Sequence, residues 1–131
     1  MSVTVARSAL AAMLDAAARA APAEACGLLL GEGARVATAV PAANVAVDPL
    51  RHFEIDPAAL IAAHRAARAG GPQVVGYYHS HPVGEPRPSA TDRASASGDG
   101  RVWAIVCRGD VTFWRDGASG FEALPYRVGD G

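Results

Sequence analysis

The chain contains no lysine, and all twelve of its basic residues are arginine. No side-chain lysine can therefore accept a protein conjugate, and the bias fits a GC-rich genome whose codons favour Arg and Ala. A surplus of charge of one sign is also missing. Twelve arginines face thirteen acidic residues, a net charge of −1 with histidine neutral, which argues against nucleic acid as the main partner. Cysteine is scarce: Cys26 and Cys107 are too few and too separated for a disulfide framework or a zinc knuckle. Each lies in an apolar run, where free cysteine behaves as a small buried hydrophobe, so both read as structural thiols of a reducing compartment. No apolar stretch approaches the ~18 residues of a membrane span. The alanine-rich N-terminus is interrupted by Asp15 and Arg19 and lacks the basic start of a secretory leader. A cytoplasmic protein with no membrane partner is expected. Internal repeats and low-complexity linkers are absent as well.

What is present suits one domain spanning residues 1–131. Hydrophobic residues make up 50% and charged residues 19%, an ordinary balance for a globular protein, and a domain of ~150 residues buries about 70% of its unfolded surface. Residues 2–5 alternate as a short edge strand. Leu10, Met13, Leu14 and Ala17 recur at i, i+3, i+4 and i+7, the buried stripe of an amphipathic helix that Pro22 ends. Residues 26–30 form a compact apolar strand, and Gly31-Glu32-Gly33 reads as a hairpin turn into a strand at 35–40. A loop at 41–49 leads to a further strand at 51–55. Asp56 before Pro57 marks a helix start, a capping carboxylate with proline at the first helical position. That helix runs to Ala69 and stops at Gly70-Gly71. Residues 73–78 are a buried strand, 82–88 a proline-rich connection, and Ser89 opens a short helix to about Ser97. Strands at 102–107 and 111–115 meet through a Gly109-Asp110 turn, and a last strand near 121–126 precedes a frayed end at 129–131. The sum is an α/β fold, a mixed β-sheet flanked by helices.

The chemistry concentrates in His79-Ser80-His81-Pro82 and, further on, Ser89 and Asp92. Residues two apart in a strand face the same side, so His79 and His81 can converge on one ion while Ser80 turns away. Asp92 comes from the next element as a third ligand. Three ligands make an open zinc site, whose fourth position holds water or substrate, and metal-assisted hydrolysis is the chemistry that follows. Each imidazole should bind through one nitrogen while a second-sphere acceptor holds the other. Ser89-Ala90-Thr91-Asp92 has another reading. Ser-x-x-acid before a helix resembles a capping box, although Glu or Gln is usual at its fourth position. Ser89 can start the helix and still turn its hydroxyl to the metal. For Asp92 capping and ligation compete, and ligation is favoured. Glu24, on spacing alone, reads as a solvated acid between a helix and a strand. His52 and His64 lie in other elements and are not expected as ligands. Glu85 and Arg87, beside the site, are candidates for touching substrate. Tyr77, Trp103 and Trp114 read as core or sheet-face aromatics, and Thr91 and Asp99 as surface or capping residues.

Taken together, His79-x-His81-Pro82, six residues, then Ser89-x-x-Asp92 resembles the signature of the JAMM (MPN-type) metalloproteases. Pro22-Ala23-Glu24-Ala25-Cys26-Gly27-Leu28-Leu29-Leu30-Gly31 resembles the strand carrying that family's catalytic glutamate. Phe53-Glu54-Ile55-Asp56-Pro57 is similar to the small bacterial members. Over nearly the whole chain, the resemblance implies an MPN/JAMM-like layered architecture related to that of cytidine deaminases. It implies one Zn²⁺ per chain on His79, His81 and Asp92, and hydrolysis by Glu24-assisted attack of zinc-bound water, with the Ser89 hydroxyl helping to stabilise the oxyanion. The implied substrate is a peptide or isopeptide bond after the Gly-rich C-terminal tail of a ubiquitin-like or sulfur-carrier protein. Such a tail, extended and without side chains, can pair with a strand edge and thread past a metal. The chain lacks the long insertions of larger relatives that select linked ubiquitin. It is more similar to small prokaryotic members that release an amino acid such as cysteine or trim a tail.

Other readings compete. A metal-free MPN-type module that only binds partners would have lost ligand residues, whereas His79, His81, Asp92, Ser89 and Glu24 are all kept. A zinc peptidase acting on short peptides or cell-wall fragments would keep the same site. Zinc nucleoside deaminases need His-x-Glu together with Pro-Cys-x-x-Cys, a combined pattern that is absent because the chain has no Pro-Cys-x-x-Cys. Oligomeric state is not legible.

Overall fold

Val3 and Val5 alternate with Thr4, so the first strand, β1 (Val3–Ala6), buries both valines. The chain passes straight into α1 (Arg7–Ala20), with no side-chain cap at Ala6. Met13 and Ala9 of its apolar stripe are fully buried, and Leu10, Leu14 and Ala17 pack partly buried around them. The rest of the order is β2 (Cys26–Glu32), β3 (Arg35–Ala42), α2 (Pro57–Arg68), β4 (Gln73–Ser80), α3 (Ala90–Ser95), β5 (Val102–Cys107), β6 (Asp110–Gly117), β7 (Gly120–Leu124) and β8 (Tyr126–Gly129). The computed structural model describes residues 2–130.

The strands form one eight-stranded mixed sheet in the order β7-β6-β5-β4-β2-β3-β1-β8. β4 runs parallel to β5, and β1 runs parallel to both β3 and β8; the remaining pairs are antiparallel. On one face α1 covers the main core, a cluster that includes Met13, Val5, Leu29, Val36, Tyr78, Val106 and Phe113. The opposite face carries α2, whose Leu60 shares a shallow cavity with Tyr77 and Trp103. Gly27 permits the seating of Tyr78 in the core under α1: a Cβ there would collide with the Tyr78 ring and the Val40 carbonyl. The mixed sheet with flanking helices expected from the sequence is what forms, and among the described residues no helix is long and apolar enough to cross a membrane.

The helix at 57–68 starts as read, with Asp56 Oδ1 accepting from Ala58 N at 3.1 Å and Pro57 at its first position. It ends before Gly70, which takes a left-handed φ of 97°. Several local expectations fail for identifiable reasons. β1 is not an edge strand, because β8 returns to pair along its outer side. The last strand is two strands. Only Pro125 separates β7, at one edge of the sheet, from β8 at the other, and its carbonyl accepts from Val3 N at 3.0 Å. The sheet therefore curls until one chain segment bridges its two ends, and a residue without an N–H sits where the pairing switches. Gly129 is consequently paired with Ala6 rather than frayed, and the Asp130 carbonyl accepts from Arg35 at 3.1 Å; Gly131 and Met1 lie outside the described residues. The first hairpin turns at Gly33-Ala34 rather than across Gly31-Glu32-Gly33, because Glu32 still pairs with Arg35. The β5–β6 hairpin turns at Arg108-Gly109, and Asp110 already pairs with Cys107. Residues 51–55 form no strand; only Ile55 makes an isolated bridge, to Asn44.

Candidate metal centre

β4 delivers His79 at its end, and His81 lies just beyond. The His81 N–H still donates to the Val106 carbonyl at 2.8 Å, continuing the ladder with β5, so the two-residue alternation holds past the strand. Ser80 points the other way. Its Oγ accepts from Ala25 N at 2.8 Å and its own N–H donates to the Ala25 carbonyl at 3.0 Å. That pair of hydrogen bonds holds the segment carrying Glu24 against the histidine strand, 55 residues away in sequence. Asp92 arrives in the first turn of α3.

His79 Nε2 lies 3.0 Å from His81 Nε2 and 3.1 Å from Asp92 Oδ2, and His81 Nε2 lies 3.2 Å from the same oxygen. All three residues are buried, and they are the one such group of potential ligands among the described residues. His52 and His64 stand outside it, as expected. Two imidazole nitrogens and a carboxylate oxygen aimed at one point present three lone-pair atoms that a single proton cannot satisfy. Zn–N and Zn–O bonds of about 2.0–2.2 Å in tetrahedral geometry would separate neighbouring ligand atoms by ~3.3 Å. The triangle is close to that size, so the donor set is compatible with a zinc ion.

The surrounding bonds set the protons. His81 Nδ1 donates to the Glu85 carbonyl at 2.7 Å, an oxygen that can only accept, which leaves Nε2 as the lone-pair nitrogen. This is the second-sphere acceptor expected of a ligating histidine. His79 departs from the expectation: its buried Nδ1 has no hydrogen-bond partner among the described residues. The ring is held by packing instead, stacked on Phe53 with centroids 4.2 Å apart and 15° between planes, and meeting the edge of Trp103 at 5.8 Å. Burial lowers the His79 pKa, outweighing the pull of Asp92. For His81 burial acts in the same direction, but bonds to Asp92 and the Glu85 carbonyl outweigh it and raise the pKa. Burial would raise Asp92, yet the two imidazoles against its oxygen and the hydrogen bond from Ser89 N hold its carboxyl far below the usual range.

Ser89 and Asp92 form a complete capping box: Ser89 Oγ accepts from Asp92 N at 3.1 Å, and Ser89 N donates to Asp92 Oδ2 at 2.9 Å. The competition read for Asp92 does not arise. One oxygen caps the helix and faces the histidines at once, because the N-terminus of α3 points at the histidine pair.

Glu24 is 8% exposed, not the solvated acid its sequence setting suggests. Burial, opposed by His81 and assisted by Asp92, pushes its pKa from 4.5 up to about 7. It lines a cleft of about 430 Å³ together with His81, Ser89, Glu85 and Arg87. Glu85 and Arg87 pair with each other at 2.8 Å on the exposed rim. Two contributors were not singled out from the sequence. Asn44 Nδ2 donates to the carbonyls of Glu24 and His52 at 2.9 and 3.0 Å, while its Oδ1 accepts from Ala46 N and Glu54 N at 3.1 and 3.0 Å. It thereby ties the Glu24 segment to the loop that carries Phe53. Asp116, 2% exposed, accepts from Ser97 N and Gly98 N, both at 3.1 Å, and anchors the chain just past α3. Neither lies in a recognisable motif; the signal available for Asn44 was only a polar residue between Pro41 and Pro49.

A sequence family described as prokaryotic homologs of the JAB domain matches residues 6–117. Over 91 residues the chain is 45% identical to a protein named desampylase from Haloferax volcanii, covering 68% of the chain and 65% of that protein. Over 103 residues it is 35% identical to a probable TtuB-protein conjugate cleaving protease from Thermus thermophilus, covering 79% of the chain and 64% of that protein. The chain thus spans just under two thirds of the length of each of these relatives. A solution structure of a Desulfitobacterium hafniense protein, 28% identical, superposes with a TM-score of 0.85 over 98% of this chain and 94% of the other.

Proposed function

The chain belongs to the prokaryotic homologs of the JAB domain, the JAMM (MPN-type) family its motif resembles, and from that membership we propose that it is a zinc-dependent isopeptidase or peptidase. Its substrate is the bond after the Gly-rich C-terminal tail of a ubiquitin-like or sulfur-carrier protein. The observation that carries this reading is the meeting of three candidate ligand atoms, from His79, His81 and Asp92, with His81 opening onto a cleft that the buried acid Glu24 also lines. A zinc ion held there supplies a Lewis acid that acidifies water and polarises a carbonyl. Glu24 takes a proton from the attacking water and gives it to the departing amine, a task suited to an acid whose pKa lies near neutrality. Ser89 Oγ accepts from Asp92 N, which leaves its own O–H free to donate to the oxyanion. Glu85 and Arg87, on the rim, contact the substrate near the scissile bond. A relative named for cleaving TtuB-protein conjugates supports a protein conjugate as the substrate class. A cytoplasmic setting belongs to the same reading and is supported by two buried free thiols, Cys26 and Cys107.

The test uses zinc-loaded protein and a ubiquitin-like protein whose Gly-Gly end is joined either to a peptide α-amine or to a lysine ε-amine. Mass spectrometry should detect a product ending in Gly-Gly from at least one of them, and Glu24→Gln should slow its release by about 10²–10⁴-fold. Zinc-loaded protein that leaves both substrates intact would overturn the reading, and the two linkages separate peptidase from isopeptidase.

A further inference from the structure

The β5–β6 hairpin turns through Arg108 and Gly109, whose φ values of 52° and 84° are those of a type I′ turn. Glycine takes this conformation freely. Arg108 is the one non-glycine residue with positive φ among the described residues, at a position where such turns favour Asn, Asp or Gly. Its side chain has a specific engagement. Arg108 Nη2 donates to the Gly84 carbonyl at 2.6 Å, an oxygen that the Cys107 thiol also approaches at 3.7 Å. On the far side of Glu85, Thr112 Oγ1 donates to the Pro86 carbonyl at 2.9 Å and itself accepts from Trp114 Nε1 at 2.9 Å. The hairpin therefore grips the 82–88 segment on both sides of the carbonyl that receives His81 Nδ1–H.

We infer that Arg108 is a positioning residue of the metal centre. By holding Gly84, which has the glycine-only freedom of a φ of 113°, it fixes the Glu85 carbonyl. That carbonyl in turn sets the orientation of the His81 ring and keeps the proton on Nδ1, with the Nε2 lone pair facing His79 and Asp92. A backbone conformation unfavourable for arginine is retained because the guanidinium reaches the loop that a turn-favoured side chain would not. The inference rests on His79, His81 and Asp92 being zinc ligands, and it adds a group from a different hairpin to that site.

The test compares wild type with Arg108→Asn, which keeps a residue suited to the turn, and with Arg108→Lys, which keeps a cationic donor. Three quantities are read: Tm of the metal-free protein, zinc affinity by competition with a chromophoric chelator, and amide hydrogen exchange across residues 83–87. Arg108→Asn should hold or raise Tm while weakening zinc binding by about threefold to tenfold, less than loss of a direct outer-shell partner, and while speeding exchange in the loop. Arg108→Lys should recover part of the affinity. Unchanged zinc affinity and loop exchange in Arg108→Asn would overturn the inference. So would a drop in Tm that tracks the affinity loss and is not relieved by lysine, since that pattern belongs to hairpin stability. A wild type that binds no zinc would remove the ligand reading itself, and faster loop exchange in Arg108→Asn would still report the hold of Arg108 on Gly84.

Discussion

Tyr78 and His79 are neighbours in β4, both fully buried, and they face opposite sides of the sheet. Tyr78 enters the apolar cluster under α1, with Met13, Leu29 and Phe113. His79 enters a polar cluster with His81 and Asp92, walled by Phe53 and Trp103. Equal burial has opposite energetic consequences on the two sides. Apolar area removed from water stabilises by about 25 cal/mol per Å², whereas a buried ionisable group costs free energy unless it is paired. The α1 face therefore supplies stability, and the other face uses that surplus to hold lone pairs and a carboxyl in a condition water would not allow. The division follows from a single alternation in one strand.

The sharpest way to separate the two faces is to change one side and measure both properties. Glu24→Gln should lower hydrolysis by about 10²–10⁴-fold, the usual share of a general acid–base, with zinc still bound in elemental analysis. His79→Ala should lose zinc as well, and stoichiometric metal in that variant would remove His79 from the ligand set. On the opposite face Met13→Ala should cost about 2–5 kcal/mol in denaturant unfolding while the folded fraction binds zinc as before. Loss of zinc by folded Met13→Ala would show that the faces are not independent.

A smaller effect concerns pH. Folding raises the Glu24 pKa from 4.5 to about 7, so between those values the metal-free folded chain keeps a proton that the unfolded chain has released. Its stability from this group is highest below about 4.5, falls as pH rises through the interval, and is lowest above about 7. Glu24→Gln removes that cost. Urea unfolding of metal-free protein should show a gain of about 1–2 kcal/mol at pH 8 after allowance for solvent screening, and almost none at pH 4. An equal gain at both would break the link to ionisation. The smallest change is expected from Tyr78→Phe. The Tyr78 hydroxyl is buried with no hydrogen-bond partner among the described residues, so its removal should be neutral or stabilise by up to ~1 kcal/mol. A loss of several kcal/mol would mean that the hydroxyl has a partner in solution.

Legibility in the sequence followed the range of the interactions involved. The start of α2 was readable because Asp56, Pro57 and the amide of Ala58 lie within three residues of one another. The histidine pair was readable because side-chain direction in a strand repeats every two residues. Residues 51–55 misled because their composition suits a strand, while the Asn44 side chain takes the Glu54 amide and the His52 carbonyl, two of the bonds that strand pairing would have used. The rivalry expected at Asp92 dissolved because one oxygen, Oδ2, both caps α3 and lies against the two histidine nitrogens.

The candidate ligands, their spacing, the helix caps and the alternation of β4 are properties of short stretches of chain, governed by backbone geometry that each stretch carries with it. The return of β8 to β1, the seating of Glu24 through Ser80 and Ala25, the stacking of Phe53 on His79 and the grip of Arg108 on Gly84 are of another kind. Each joins segments whose meeting depends on which strands become neighbours in the sheet. That choice is made by the packing of the whole core, and no local pattern of residues encodes it.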